Sequence, residues 1–295
     1  MDLTDLRLFL LVIEAGSITR GAERAHLALA SASARIRGLE EELGVALLER
    51  ERRGVRPTPA GQALARHARG VLQQVEHLRG ELGGYAGGLK GRVRLLSNTA
   101  ALSEFLPDAL SAFLTAHPEV DVEVEERLSH EIVQAVAEGQ AEVGLVADTV
   151  ELGALETFAF QEDRLVLVTP REHPLAARQE VAFAEVLEAP FVGLGEGSAL
   201  QEHLAWHAAR LGRRLRYRVR LRGFDALCRM VERGVGLAVI PEAAARRCQR
   251  SMSIRRVALR EAWATRRLLL CVRRHEALSV QARLLVAALR ADRSG

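Results

Sequence analysis

At 295 residues, with 48% hydrophobic residues, the chain is long enough for two domains and too apolar to be disordered. No run approaches the 18 or so apolar residues of a membrane span, and Asp2, Asp5 and Arg7 flank the first apolar stretch, the wrong setting for a signal peptide; no membrane contact and a cytoplasmic location are expected. The net charge of +3 conceals segregation: residues 91–200 carry six arginines against twenty acids, whereas residues 201–295 sum to +15.

In chain order, Leu6, Phe9, Leu10 and Ile13 fall on one face of a first helix. Gly16 ends it, and Ser17 starts a short second helix. A third helix follows His26 and Leu27, with Ala32, Ile36, Leu39 and Leu43 on one stripe and Gly44 as its stop. Two short extended pieces around Gly54 complete a winged helix-turn-helix over 1–58. In such a unit the second helix of the pair enters the DNA major groove by its N-terminal end. Here that end holds only Leu, Ala and Ser from 27 to 34. Small side chains let the backbone approach, serine bonds base edges and alanine meets thymine methyls. Local charge agrees: residues 17–39 and residues 50–56 each sum to +3, as phosphate contact requires.

From Pro59, residues Leu64, Ala68, Val71, Val75, Leu78 and Leu82 repeat at spacings of 4 and 3, the seam of a coiled coil. The glycine-rich stretch 83–91 reads as a hinge, so 59–89 forms a linker helix that pairs with a second copy. Beyond residue 90, strands and helices alternate: 92–96, a helix to 117, 120–126, a helix 129–138, 142–147, 164–170, 190–195, a helix from 198, then 224–234, "GLAVIP", "RRLLLCVRR" and a last helix 279–290. That is an α/β unit with a largely parallel sheet. Ligands in such units sit at strand carboxyl ends, near helix N-termini.

"SITRGAERAHL" and "SARIRGLEEELGVALLERERRGVRPTPAG" resemble the DNA-binding module of LysR-type transcriptional regulators. The likeness continues through "LSEFLPDALSAFLTAHPEVDVEVEE", "LVLVTPREHPLA" and "ERGVGLAVIPEAAAR". It implies an α/β fold of three parts: an N-terminal winged helix-turn-helix, a long dimerising linker helix, and a periplasmic-binding-protein-like effector domain of two α/β subdomains. Subdomain I is expected at about 90–162 and 267–295, and subdomain II at about 163–266. Double-stranded DNA, a small-molecule effector, a second and further copies of the chain (dimer and tetramer) and RNA polymerase are the implied partners. No cofactor, metal or catalysis is implied. A solute-binding protein is the alternative, disfavoured by the N-terminal module.

The family's usual Ser-Gln step at the start of the reading helix is replaced by Ala28, Leu29 and Ala30. Base contact is therefore expected from Ser31, Ser33 and Arg35, with Arg37 beside them and Arg52 and Arg53 along the wing. The effector positions implied are Asn98, Thr99, Ser129, Gly195 and Ser198, groups suited to a carboxylate or other anion. Ligand would close the cleft, rotate the subdomains and alter the assembly on DNA. His203 and His207 share a helix face but have no third metal ligand. Cys228, Cys248 and Cys271 show no metal or disulfide spacing and are expected in the core. At 213–222 five arginines alternate with apolar residues. Three roles are open: a charged guard on a sheet edge, a surface for the acidic region of another subunit, or a DNA contact.

Overall fold

The computed structural model describes residues 1–51, 54–85 and 91–291. Among them the chain divides into two compact units, one over 1–89 with 138–140 and one over the remainder from residue 90.

The first unit holds α1 (Leu3–Ala15), α2 (Ile18–Arg24), α3 (Leu29–Leu43), β1 (Leu48–Glu51), β2 (Gly54–Pro57) and α4 (Pro59–Tyr85). Helix α1 begins with a reciprocal cap: Asp2 accepts from the Asp5 N–H at 2.8 Å, and Asp5 accepts from the Asp2 N–H at 2.8 Å. It ends on Gly16 at φ 60, a left-handed stop that glycine adopts without strain. The apolar face is wider than the sequence suggests. Leu8 and Val12 are fully buried beside Leu6, Phe9 and Leu10, because α1 packs on α4 as well as on α2 and α3. Ala32, Ile36 and Leu39 of α3 and Leu47 complete this core. The wing is sewn on by the Val55 N–H, which donates to the Gly16 carbonyl at 3.0 Å. Gly54 sits at φ 143, and an added Cβ would strike the Gly16 carbonyl oxygen.

The linker expectation needs correction. Thr58 caps α4, accepting from the Gly61 N–H at 3.0 Å and donating to the Ala46 carbonyl at 2.8 Å. Ala65 and Ala68 are then buried in the unit's own core, with Leu64 and Leu72 packed against it. The lower half of the supposed seam is thus used within the chain. Val71 and Leu78 are exposed, at 45% and 55%, and remain for a partner. Most of the hinge, 86–90, lies outside the described residues.

The second unit runs β3 (Gly91–Ser97), α5 (Thr99–Glu104), α6 (Leu106–Ala116), β4 (Val120–Glu126), α7 (Ser129–Ala137), β5 (Val143–Ala147), β6 (Glu156–Pro170), β7 (Glu180–Val181), β8 (Pro190–Leu194), α8 (Ala199–Arg210), β9 (Arg216–Leu221), α9 (Phe224–Glu232), β10 (Ala238–Pro241), α10 (Glu242–Gln249), β11 (Ile254–Leu259), β12 (Thr265–Val272) and α11 (Val280–Ala291). An eight-stranded sheet has the order β4-β3-β5-β12-β6-β11-β7, with β10 also on β6, and β8 pairs β9 separately. Pairing within each half is partly parallel (β3 with β4 and β5, β8 with β9), but β12 lies antiparallel to β5 and β6, and β10 and β11 antiparallel to β6. The sheet is mixed, not largely parallel.

The reason is the crossover. Strand β6 is 15 residues long; it pairs with β12 up to Arg164 and with β10 from Leu165 onward. It leaves one half and enters the other without a break, and β12 returns from Thr265. The single helix expected up to 117 is two, parted at Phe105 because Pro107 opens α6. Gly144 on β5 has no room for a Cβ between Ile132 and Cys271, so α7 lies tight on the sheet. Cys228, Cys248 and Cys271 are all buried; burial pushes the Cys271 thiol up to about 12.

Candidate DNA-reading helix and effector cavity

At about 100° per residue, burying Ala32, Ile36 and Leu39 places Ala30, Ala34 and Arg37 at the centre of the opposite face of α3. All three are exposed, as are Ala28, Leu29 and Ser31. Ser33 flanks this face and is half-buried. The helix therefore presents a shallow end bearing one central guanidinium.

Arg35 is elsewhere. It lies about 60° from the buried stripe, and its Nη1 donates to Asp5 at 2.6 Å and to Asp2 at 3.2 Å. Those carboxylates hold its guanidinium protonated, and the Asp2 N-cap is held below the usual carboxylate range by the Asp5 N–H and by Arg35. Arg35, expected at the bases, is bonded here to the start of α1. The sequence could not show this, because the partners are 30 and 33 positions away. On the wing, Arg56 is exposed and pairs with Glu49 at 3.2 Å and Glu51 at 3.5 Å, while the exposed Arg50 has no carboxylate partner among the described residues; Arg52 and Arg53 lie outside the described residues.

In the second unit a cavity is lined by Asn98, Thr99, Ala100, Arg127, Leu128, Ser129, Leu194, Ser198, Ala199, Leu200, Phe224 and Arg266. It is small: about 20 Å3 is open to the centre of a water molecule, room for roughly one or two waters. Four of the five expected effector residues line it. Asn98 Oδ1 accepts from the Ala101 N–H at 2.9 Å, capping α5, and the Thr99 hydroxyl donates to Glu126 at 2.6 Å. Both are already engaged. Ser129 is 1% exposed, and its Oγ has no hydrogen-bond partner among the described residues. Ser198 precedes α8 without making a side-chain cap. Gly195 is not in the lining: its N–H donates to the Leu221 carbonyl at 3.1 Å, so that backbone donor is spent on joining β8 to β9.

The sequence missed Arg266. It begins the return crossover, is 4% exposed, and meets Asp163 of the outgoing crossover, Nε at 2.7 Å and Nη2 at 2.6 Å. Both bonds reach one carboxylate oxygen, and Oδ1 is buried without a hydrogen-bond partner among the described residues. Burial pushes the Asp163 carboxyl up, and Arg266 only partly offsets this. Arg266 stands next to the exposed Arg267 at the head of "RRLLLCV", so the sequence held no signal that set it apart.

His203 and His207 form an aromatic group. His207 stacks on Trp263 with ring centroids at 4.1 Å, and His203 Nε2 lies 3.2 Å from the Trp263 carbonyl. Burial, then the neighbouring His203 and Arg210, pushes His207 down to about 4.

Residues 86–294 match the family model of the LysR substrate binding domain, and residues 3–62 match that of the bacterial regulatory helix-turn-helix protein, lysR family. The chain is 26% identical over 242 residues to the HTH-type transcriptional regulator CysL of Bacillus subtilis (strain 168), covering 82% of this chain and 81% of that one. A full-length OxyR variant from Pseudomonas aeruginosa shares its fold, with TM-score 0.75 at 22% identity over 98% and 95% of the two chains. So does full-length CbnR complexed with its target DNA, with TM-score 0.67 at 21% identity over 99% of each. With both family models matched along nearly its whole length, the chain belongs to the LysR family of DNA-binding, effector-responsive transcriptional regulators.

Proposed function

We propose that α3 reads operator bases through the face centred on Ala30, Ala34 and Arg37, with Ser31 and Ser33 at its flanks, and that Arg35 only positions the helix. The observation that carries this is the exposure of a bare helix end on a helix whose Ala32, Ile36 and Leu39 are buried in its own core, while Leu43, expected on the same stripe, is exposed at the far end. Arg37 supplies a guanine contact or a phosphate contact, and the alanines take thymine methyls. The wing, with Arg50 described and Arg52 and Arg53 beyond the described residues, follows the backbone. The family role supports a cytoplasmic setting without a catalytic step, and the exposed Val71 and Leu78 of α4 support a homodimer built through that helix.

The effector is a small carboxylate held by the Ser129 Oγ and the Arg266 guanidinium, beside the amide of Asn98 and the hydroxyl of Ser198. The unsatisfied Oγ and a buried cation facing the same space support this reading. An organic acid exceeds the present space, so it enters by parting the subdomains about β6 and β12. The test is isothermal titration with a panel of two- to six-carbon carboxylates against wild type and S129A. Binding that S129A weakens at least about tenfold supports the site; undiminished binding refutes it.

A further inference from the structure

The crossover borders a second, larger space. The end of α5, the start of α6, the middle of β6 and helix α10 enclose a groove in which about 450 Å3 is open to the centre of a water molecule. The effector cavity offers about 20 Å3 by the same measure; the groove takes a small molecule as it stands. Five carboxylates and four guanidiniums line it.

Some of these charges are spent on one another. Arg247 donates to Glu104 at 2.8 Å and 3.1 Å and to Asp225, outside the lining, at 2.9 Å. Arg246 donates to Glu242 at 3.0 Å. What is left over carries both signs. The side chains of Asp108 and Glu162, and those of Arg164 and Arg250, hold no hydrogen bond or ion pair among the described residues, and all four are exposed. Asp163 supplies a further acceptor. It is 1% exposed, Arg266 occupies one of its oxygens, and Oδ1 has no hydrogen-bond partner among the described residues. An interior acceptor left unmet is costly until a donor reaches it.

The leftover charges narrow the occupant. An anion alone would meet five carboxylates and leave the Asp163 oxygen bare. A metal ion or a simple amine would face four guanidiniums and leave Arg164 and Arg250 unmatched. A molecule bearing an ammonium and a carboxylate answers both sets with charge-assisted hydrogen bonds. Glu162, Asp163 and Arg164 are consecutive, with Cα atoms about 3.8 Å apart, so acceptor and cation lie within a short span. An α-amino acid carries its two charges on one carbon and matches that span. We propose that the groove binds a free α-amino acid, its ammonium donating to Asp163 Oδ1 and Glu162 near Asp108, and its carboxylate held by Arg164 and Arg250. The proposal is independent of the effector reading, which concerns a different space.

The test is isothermal titration of the full chain with a panel of the protein α-amino acids, beside propylamine and propionate, which carry one charge each. At least one amino acid should bind, at least about tenfold more tightly than either single-charge probe. D108N/E162Q, R164Q/R250Q and D163N should each weaken it at least about tenfold. S129A, altered in the effector cavity, should bind it as wild type does. The two double variants should melt with wild type, because their side chains hold no bond among the described residues, so lost binding there is not lost folding. Silence from every amino acid overturns the proposal, as does undiminished binding in either double variant. Propylamine binding as tightly as the amino acid would make this a plain cation site and overturn it too. Loss in S129A with retention in the doubles would place the amino acid in the effector cavity and overturn it equally.

Discussion

Replacing Asp163 by Ala should be among the most damaging single changes in the second unit. Asp163 is 1% exposed and Arg266 is 4% exposed, so D163A leaves a guanidinium in the interior with no counter-ion. Breaking such a pair from one side costs about 3–5 kcal/mol. For a unit of about 200 residues each kcal/mol moves the melting temperature by roughly 2–4 °C, so a fall of about 6–20 °C is expected by calorimetry. The pair itself is a poor stabiliser, since burial already pushes Asp163 up and one of its oxygens has no hydrogen-bond partner among the described residues. D163L/R266M should therefore recover most of the loss. Because Arg266 lines the cavity, the double variant should fold well and still fail to bind a carboxylate. A loss below about 1 kcal/mol in D163A would refute the reasoning, since it would mean that water reaches Arg266 as soon as Asp163 is gone.

Other outcomes follow from the same structure. R35A should lower the melting temperature of the first unit with little change in base preference, read by competition against scrambled sites, because its contacts are Asp2 and Asp5. Replacing the exposed Leu78 by Glu should weaken dimerisation at least about tenfold, measured by dilution in the ultracentrifuge, through a charge on an apolar seam. Acid should destabilise the second unit between pH 6.5 and about 4: the folded state keeps His207 neutral there while the unfolded chain takes up a proton. Stability is then highest above pH 6.5 and is lost as pH falls through that window. H207Q should flatten this part of a melting-temperature profile.

The sequence showed most of what is local. Caps at Ser17 and Gly44, and the alternation of β4 and β9, lie where composition and period put them. It missed what depends on distant partners. The half of α4 that looked like a seam is consumed by α1, and Arg35 is taken by the cap of that helix. The first half of β6, "ETFAFQED", has no clean alternation because its faces change surroundings as it crosses from one half of the sheet to the other. In the cavity, the polar residues at helix starts were legible, whereas Arg266 acquires meaning only from Asp163, 103 positions earlier. Gly195 belonged to a suggestive loop, yet its N–H was already committed to Leu221.

The reading of α3 is tested most directly by base-resolved interference footprinting of the full chain on its own promoter region, comparing wild type with R37A and R35A. The account predicts that R37A erases or relaxes protection at a base pair in the major groove of each half-site, costing about 1–3 kcal/mol of discrimination, while R35A leaves the footprint unchanged. A footprint altered by R35A and indifferent to R37A would contradict it.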